Sequence, residues 1–327
     1  MLRYAWLPLV ALATVAGAVA LGPRGTLSSL VPADPIEARI LTEVRLPRIA
    51  LGFLAGAALA TAGMAFQALF RNALATPYTL GVSAGASFGA ALYIHLGLSG
   101  SLAGLPGHAF AALAGAVLAI ALVYAVARGT YSFSSSTLLL AGVAISFVFT
   151  SVILAIQYIG DVTTSFRIGR WLLGGLEAVG FLPVLHVLPF AMVGIAILVA
   201  VSRDLDLLVV GEESAASRGV PVARVKRLIF VAASLMVGGV VATCGPIGFV
   251  GLVVPHVGRR IVGPRHRTLA PFSVLAGGTF LVACDALGRT VVAPVEIPVG
   301  IITALIGGPF FLAVLVRANA ARLRGLS

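Results

Sequence analysis

Positions 203–227 gather nine of the chain's 33 charged residues into 25 places, and their types set what chemistry is within reach. The centre reads GEESAASRGVP: two acids open a short helical stretch, a glycine closes it and a proline follows. Glu212 and Glu213 suit the positive end of a helix, Gly219 suits its stop, and Pro221 prevents continuation. A short helix over 212–218, with Ser217 and Arg218 in its last turn, would make a rigid knob for a groove in a water-soluble partner. The same pattern also fits a solvated connector. Bond-making chemistry is not written here, because HExxH and paired mid-span carboxylates are both missing. A nucleotide P-loop needs a lysine at the phosphates, yet the only lysine, Lys226, sits in ARVKRL. Cys244 and Cys284 lie in apolar stretches with no CxxC pair and no His/Cys cluster at ligand spacing, so both read as packed thiols.

The elements that carry this loop are apolar. With 60% hydrophobic and 10% charged residues and a mean hydropathy of +1.09, the 327-residue chain reads as an all-α polytopic membrane protein. The net charge of +11 has no soluble basic stripe to serve, so it reads as orientation charge at a membrane surface and not as a nucleic-acid site. About 20 apolar residues cross the hydrocarbon core as a helix. Ten segments meet or approach that length: 4–21, 49–70, 78–98, 108–127, 137–159, 182–201, 228–245, 249–262, 269–287 and 299–316. The first, although it resembles a secretory leader, reads as an uncleaved span because so many spans follow.

The eighth segment, 249–262, is short enough to be a re-entrant hairpin, and the basic residues bear on that choice. Ten crossings from a cytoplasmic N-terminus put 15 Arg and Lys inside and 7 outside; without the eighth crossing the split becomes 9 and 13. The positive-inside rule favours ten, with both termini and the 203–227 loop cytoplasmic and Arg45, Arg48 and Arg289 on the opposite face. Segments 54–63 and 236–245 share Gly, Ala, Thr and Gly at matching places. They fall in the second and seventh spans, which run in opposite directions, so a duplication would be an inverted repeat of spans 2–5 and 7–10. Close helix packing alone also enriches such residues. In the fifth span Ser146, Thr150 and Gln157, spaced by four and seven, share a helix face that suits either a polar path or interhelical hydrogen bonds.

Five stretches resemble a known family. They are RLPRIALGFLAGAALATAGMAFQALFRNALATPYTLGVSAGAS (45–87), SSSTLLLAGVA (134–144), GEESAASRGV (211–220), GPIGFVGLVVPHVGRRIVG (245–263) and EIPVGIITALIGGPFF (296–311). In order and sequence they resemble the permease subunits of type II ABC importers, which take up iron-siderophores, haem and cobalamin. The resemblance implies a homodimer of ten-helix subunits in the bacterial inner membrane, two cytoplasmic ATPase subunits that bind ATP and Mg, and a periplasmic binding protein that delivers the substrate. It implies no cofactor in this chain and no enzymatic activity of its own. Glu212, Glu213, Ser217, Arg218 and Gly219 become the coupling helix; Arg45, Arg48 and Arg289 the sites that receive the binding protein's carboxylates. Ser134, Ser135 and Ser136 match the gate turn, and Ser146, Thr150 and Gln157 are candidates to line the pathway. Asp285, one turn before Arg289, is spaced to pair with it. The alternative reading is a secondary transporter driven by an ion gradient, which needs an ionisable residue deep in the membrane.

Overall fold

The computed structural model describes residues 6–20, 34–102, 104–128 and 135–324. Among them are fourteen α-helices: α1 (Trp6–Ala20), α2 (Pro35–Ile40), α3 (Leu46–Leu69), α4 (Val82–His95), α5 (Gly107–Arg128), α6 (Ser135–Ile159), α7 (Val162–Leu172), α8 (Leu182–Ala200), α9 (Ser202–Val210), α10 (Glu212–Ser217), α11 (Val222–Cys244), α12 (Val250–Ile261), α13 (His266–Thr290) and α14 (Val299–Arg324). A π-turn at Leu41–Arg45 joins α2 to α3, and two paired two-residue strands, Ser101–Leu102 and Leu105–Pro106, link α4 to α5.

Each of the ten expected spans coincides with one helix, namely α1, α3, α4, α5, α6, α8, α11, α12, α13 and α14. Six helical runs are long and apolar enough to cross a membrane: Pro35–Leu69, Gly107–Arg128, Ser135–Ile159, Leu182–Ala200, Val222–Cys244 and His266–Thr290. α1 and the apolar part of α14 are shorter, and α4 has 14 residues. The eighth expected span is α12, whose 12 residues reach only ~18 Å at ~1.5 Å per residue. Three helices had no counterpart in the sequence reading: α2, α7 and α9. Each is short and partly polar, so a search for 20 apolar residues passes over it.

The core forms around α3, which packs against α8, α11, α12 and α13, while α11 packs against α3, α4, α5 and α8. Lipid tails are as apolar as leucine, so helices gain little from apolar burial and need close backbone contact instead. Small residues supply it. Gly63 of α3 faces Gly251 of α12, Gly56 faces Gly277 of α13, and Gly85 of α4 faces Gly115 of α5. At each crossing an added Cβ would run into the partner's backbone.

The two halves share local detail. α4 starts from Gly81 and α12 from Phe249, both in the left-handed region (φ 79° and 66°). Gly142 of α6 abuts the backbone of Leu80, just before Gly81, and Gly307 of α14 abuts the Phe249 side chain. Segments 54–63 and 236–245 lie in α3 and α11, which touch each other.

Candidate functional site

The charged stretch folds as two short helices and the start of α11. α9 buries Leu205 and Leu208 and runs through Gly211 into α10. In α10 Ala215 is buried against the protein, while Glu213, Ser217, Arg218 and Gly219 are exposed. The helix stops one residue earlier than the spacing suggested, with Arg218 as its cap. The Val220 N–H donates to the Ala215 carbonyl (3.1 Å) and the Gly219 N–H to that of Ala216 (2.9 Å), the paired bonds of a Schellman stop. Gly219 takes φ +84°, where a β-branched side chain costs about 1–2 kcal/mol. Gly219→Val is therefore expected to speed hydrogen exchange at the Val220 amide about tenfold, while amides in α13 keep their protection. An unchanged Val220 rate would show that the cap does not limit opening of the knob.

One ion pair and one carboxylate–histidine contact tie this loop to the bundle. Glu212 turns toward α11 while keeping part of its surface, and its Oε1 accepts from Lys226 Nζ at 2.9 Å; Lys226, in α11, is only 2% exposed. Asp206 of α9 accepts from the backbone N–H of His266 at 2.8 Å, and its Oδ1 lies 2.6 Å from His266 Nδ1 in the first turn of α13. Nearby in the chain's other half, buried Gln67 of α3 donates to the Gly251 carbonyl (3.1 Å) and accepts from Arg259 Nη1 of α12 (2.6 Å).

α13 is 25 residues long, so its opposite end lies roughly 36 Å away along the axis. Here Asp285, 4% exposed, bridges two arginines. Its Oδ1 accepts from Arg48 Nη2 and Nε (2.9 and 3.1 Å), and its Oδ2 from Arg289 Nε (3.1 Å), so the pair expected one turn apart does form. Arg48 Nη1 also donates to Glu296 at 2.7 Å. Arg289 is 5% exposed and donates to the Ala18 carbonyl, while Arg45 donates to that of Val19. Both guanidinium groups thus sit at the negative end of α1, where cations are favoured. Of the three candidate docking arginines, Arg45 and Arg48 retain part of their surface and Arg289 almost none.

The gate and pathway candidates lie along α6. Ser135 donates to the Leu69 carbonyl at 3.0 Å, Ser136 is exposed, and Ser134 lies outside the described residues. Ser146 donates to its own helix at Gly142 (2.8 Å) and Thr150 is exposed. Gln157 is half-buried, and its backbone carbonyl accepts from the Ser165 hydroxyl of α7 at 2.7 Å. α7 itself starts at Asp161, whose carboxylate accepts from the Thr164 N–H (2.7 Å) and hydroxyl (2.9 Å). Those two donors hold the Asp161 carboxyl below its ordinary pKa.

The sequence reading missed Lys226, Asp206, His266, Gln67, Arg259 and Glu296 as members of these clusters. Their partners lie 14 to 248 residues apart in the chain, beyond any helical period. One signal was available for Lys226: it is the sole lysine among 22 basic residues.

A family model described as the FecCD transport family matches residues 5–317. An uncharacterized ABC transporter permease protein of Bacillus subtilis (strain 168) is 43% identical over 298 residues, covering 90% of this chain and 84% of that protein. A cobalamin import system permease protein of Halobacterium salinarum is 43% identical over 286 residues, covering 84% of this chain and 73% of its own. Among solved structures, one described as an inward-facing conformation of a metal-chelate type ABC transporter superposes with a TM-score of 0.86 at 31% identity, covering 95% of this chain and 97% of that one. With the helical core, the ordered motifs and these matches in agreement, the chain is a multi-pass membrane permease of the FecCD transport family.

Proposed function

We propose that the chain is the membrane-spanning subunit of an ATP-driven importer in the bacterial inner membrane for an iron chelate (siderophore or haem) or cobalamin. A periplasmic binding protein delivers the substrate, a second copy of the chain completes the pathway, and two ATPase subunits supply ATP and Mg chemistry. The observation that carries the reading is the exposed face of α10, a capped charged knob at one end of an apolar bundle. Ten crossings, an inverted repeat and cytoplasmic termini belong to the same proposal. The repeat is supported by the Gly81/Phe249 and Gly142/Gly307 correspondences and by the α3–α11 contact. Glu213, Ser217, Arg218 and Gly219 would meet the ATPase, with Glu212 acting from behind. Arg45 and Arg48 would receive the binding protein, and Arg289 would support them through Asp285. The start of α6, with Ser134, Ser135 and Ser136, would form the gate; Ser146, Thr150 and Gln157 would lie along the path.

The ion-gradient alternative finds less support, since none of the 11 acidic residues lies in the middle of a span. The test is co-purification with the ATPase subunit after Glu213→Lys and Arg218→Glu. Capture is expected to drop about tenfold or more, as for two reversed charges at an interface. Undiminished capture, with ATP-dependent uptake intact, would remove the coupling role from α10.

A further inference from the structure

The α10 knob is only six residues long, and its covalent route into α11 runs through Gly219, at φ +84°, and Pro221. A glycine in that position bends readily. A push delivered to α10 alone would therefore be absorbed in the turn before reaching the span. Glu212 and Lys226 bypass this turn, closing it with an ion pair at 2.9 Å from the first residue of α10 to the second turn of α11. An ammonium group that is 2% exposed is costly unless paired, so the contact resists opening. Among 22 basic residues this is the one lysine, and its single compact charge, buried with its stem, meets a single carboxylate.

A second, separate tie exists on the other side of the loop. Asp206 of α9 holds the first turn of α13 through the His266 N–H and ring together. A carboxylate there also faces the positive end of a 25-residue helix. Because the backbone N–H contributes, the tie does not depend on the ring alone. α13 then runs to the Asp285 cluster at its far end.

We infer that the Glu212–Lys226 and Asp206–His266 pairs are the two struts through which the α9–α10 loop moves α11 and α13, making Lys226 and Asp206 positioning residues for ATP-coupled transport. The inference rests on the importer reading above and assigns Glu212 to the side of the knob that meets α11, leaving Glu213 and Arg218 to face the ATPase. Lys226 holds the knob to the span that enters the core beside α3.

The test uses the full complex of two permease copies with their ATPase subunits, spin-labelled at the exposed Leu228→Cys on α11. Both native cysteines are buried. The distance between the two labels is measured without nucleotide and with ATP and Mg trapped by vanadate. In the parent complex trapping shifts the distance. Lys226→Met is expected to keep ATPase capture and nucleotide trapping but to reduce the shifted population at least about fivefold. Asp206→Asn, at a partly exposed carboxylate, is expected to act in the same direction, and the Glu212→Lys/Lys226→Glu exchange to restore the shift. A full shift in both single variants would overturn the strut. So would an exchange variant that captures ATPase yet stays as defective as Lys226→Met. A parent complex that captures no ATPase would instead overturn the importer reading itself.

Discussion

Replacing Gly63 with leucine is expected to abolish accumulation of folded protein. A Cβ at Gly63 would overlap the Gly251 carbonyl of α12, and a Cβ at Gly251 would in turn fall 2.7 Å from the Leu59 carbonyl of α3. Flexible side chains can swing away from such a clash; here both obstacles are backbone within helices. α3 cannot step aside either, because α8, α11, α12 and α13 surround it. Overpacking a filled core costs about 1–3 kcal/mol even where side chains can adjust. With backbone as the obstacle, about 3 kcal/mol or more is expected, a large part of a typical folding free energy of about 5–15 kcal/mol. Membrane helices lose more than packing at such a crossing, since separated helices have little apolar gain to draw them back. The measurement is the yield of monodisperse protein in detergent and its thermal midpoint. Gly169→Ala, in α7 with nothing within 4 Å of the added carbon, serves as the neutral comparison. Leucine at 63 giving parental yield and midpoint would disprove the close approach of α3 and α12.

Asp285→Ala is the second substitution with a large expected effect. The carboxylate is shared by Arg289, itself 5% exposed, and Arg48, 19% exposed. Without it two guanidinium groups are left side by side at a buried site, with only Glu296 remaining on Arg48. Removing one member of a buried ion cluster typically costs about 3–5 kcal/mol, mostly from the charge left uncompensated. The bonds that Arg289 and Arg45 make to the last carbonyls of α1 would loosen with it, so α1 should become more protease-sensitive. Combining Asp285→Ala with Arg289→Leu is expected to recover part of the loss, because the second change removes the stranded charge. Glu43→Ala breaks only the exposed Arg39–Glu43 pair and is expected to change stability by less than about 1 kcal/mol. If Asp285→Ala proved as mild as Glu43→Ala in thermal unfolding, the cluster would be a surface contact and not a buried brace.

These two cases mark where sequence reading stops. The ten apolar segments were legible because hydropathy is a sum over adjacent residues, and each coincides with a helix. The knob was legible too, since Glu, Gly and Pro at fixed offsets act on the local backbone; only its final residue shifted from helix to cap. The Asp285–Arg289 pair followed from helical spacing. Its extension to Arg48, 237 residues away, did not. Nor did the turn toward α11 of Glu212, which the sequence offered as one of two acids on an exposed knob. α7 and α9 went unseen because their half-polar faces carry no membrane signal. Gly63 and Gly251 stand in recognisable small-residue stretches, but nothing local states that the two backbones meet.

By itself, the sequence determined that this is a multi-span membrane protein, that its charge lies at the ends of spans, and which motifs place it in its family. Those properties follow from local composition acting on a bilayer that admits apolar helices and rejects charge. Only the tertiary structure decided which charges are partners, which glycines let helices touch, and that the sole lysine locks the loop to a span. Ion pairs and close crossings join residues distant in the chain, and their energies depend on geometry that exists only once the helices have packed.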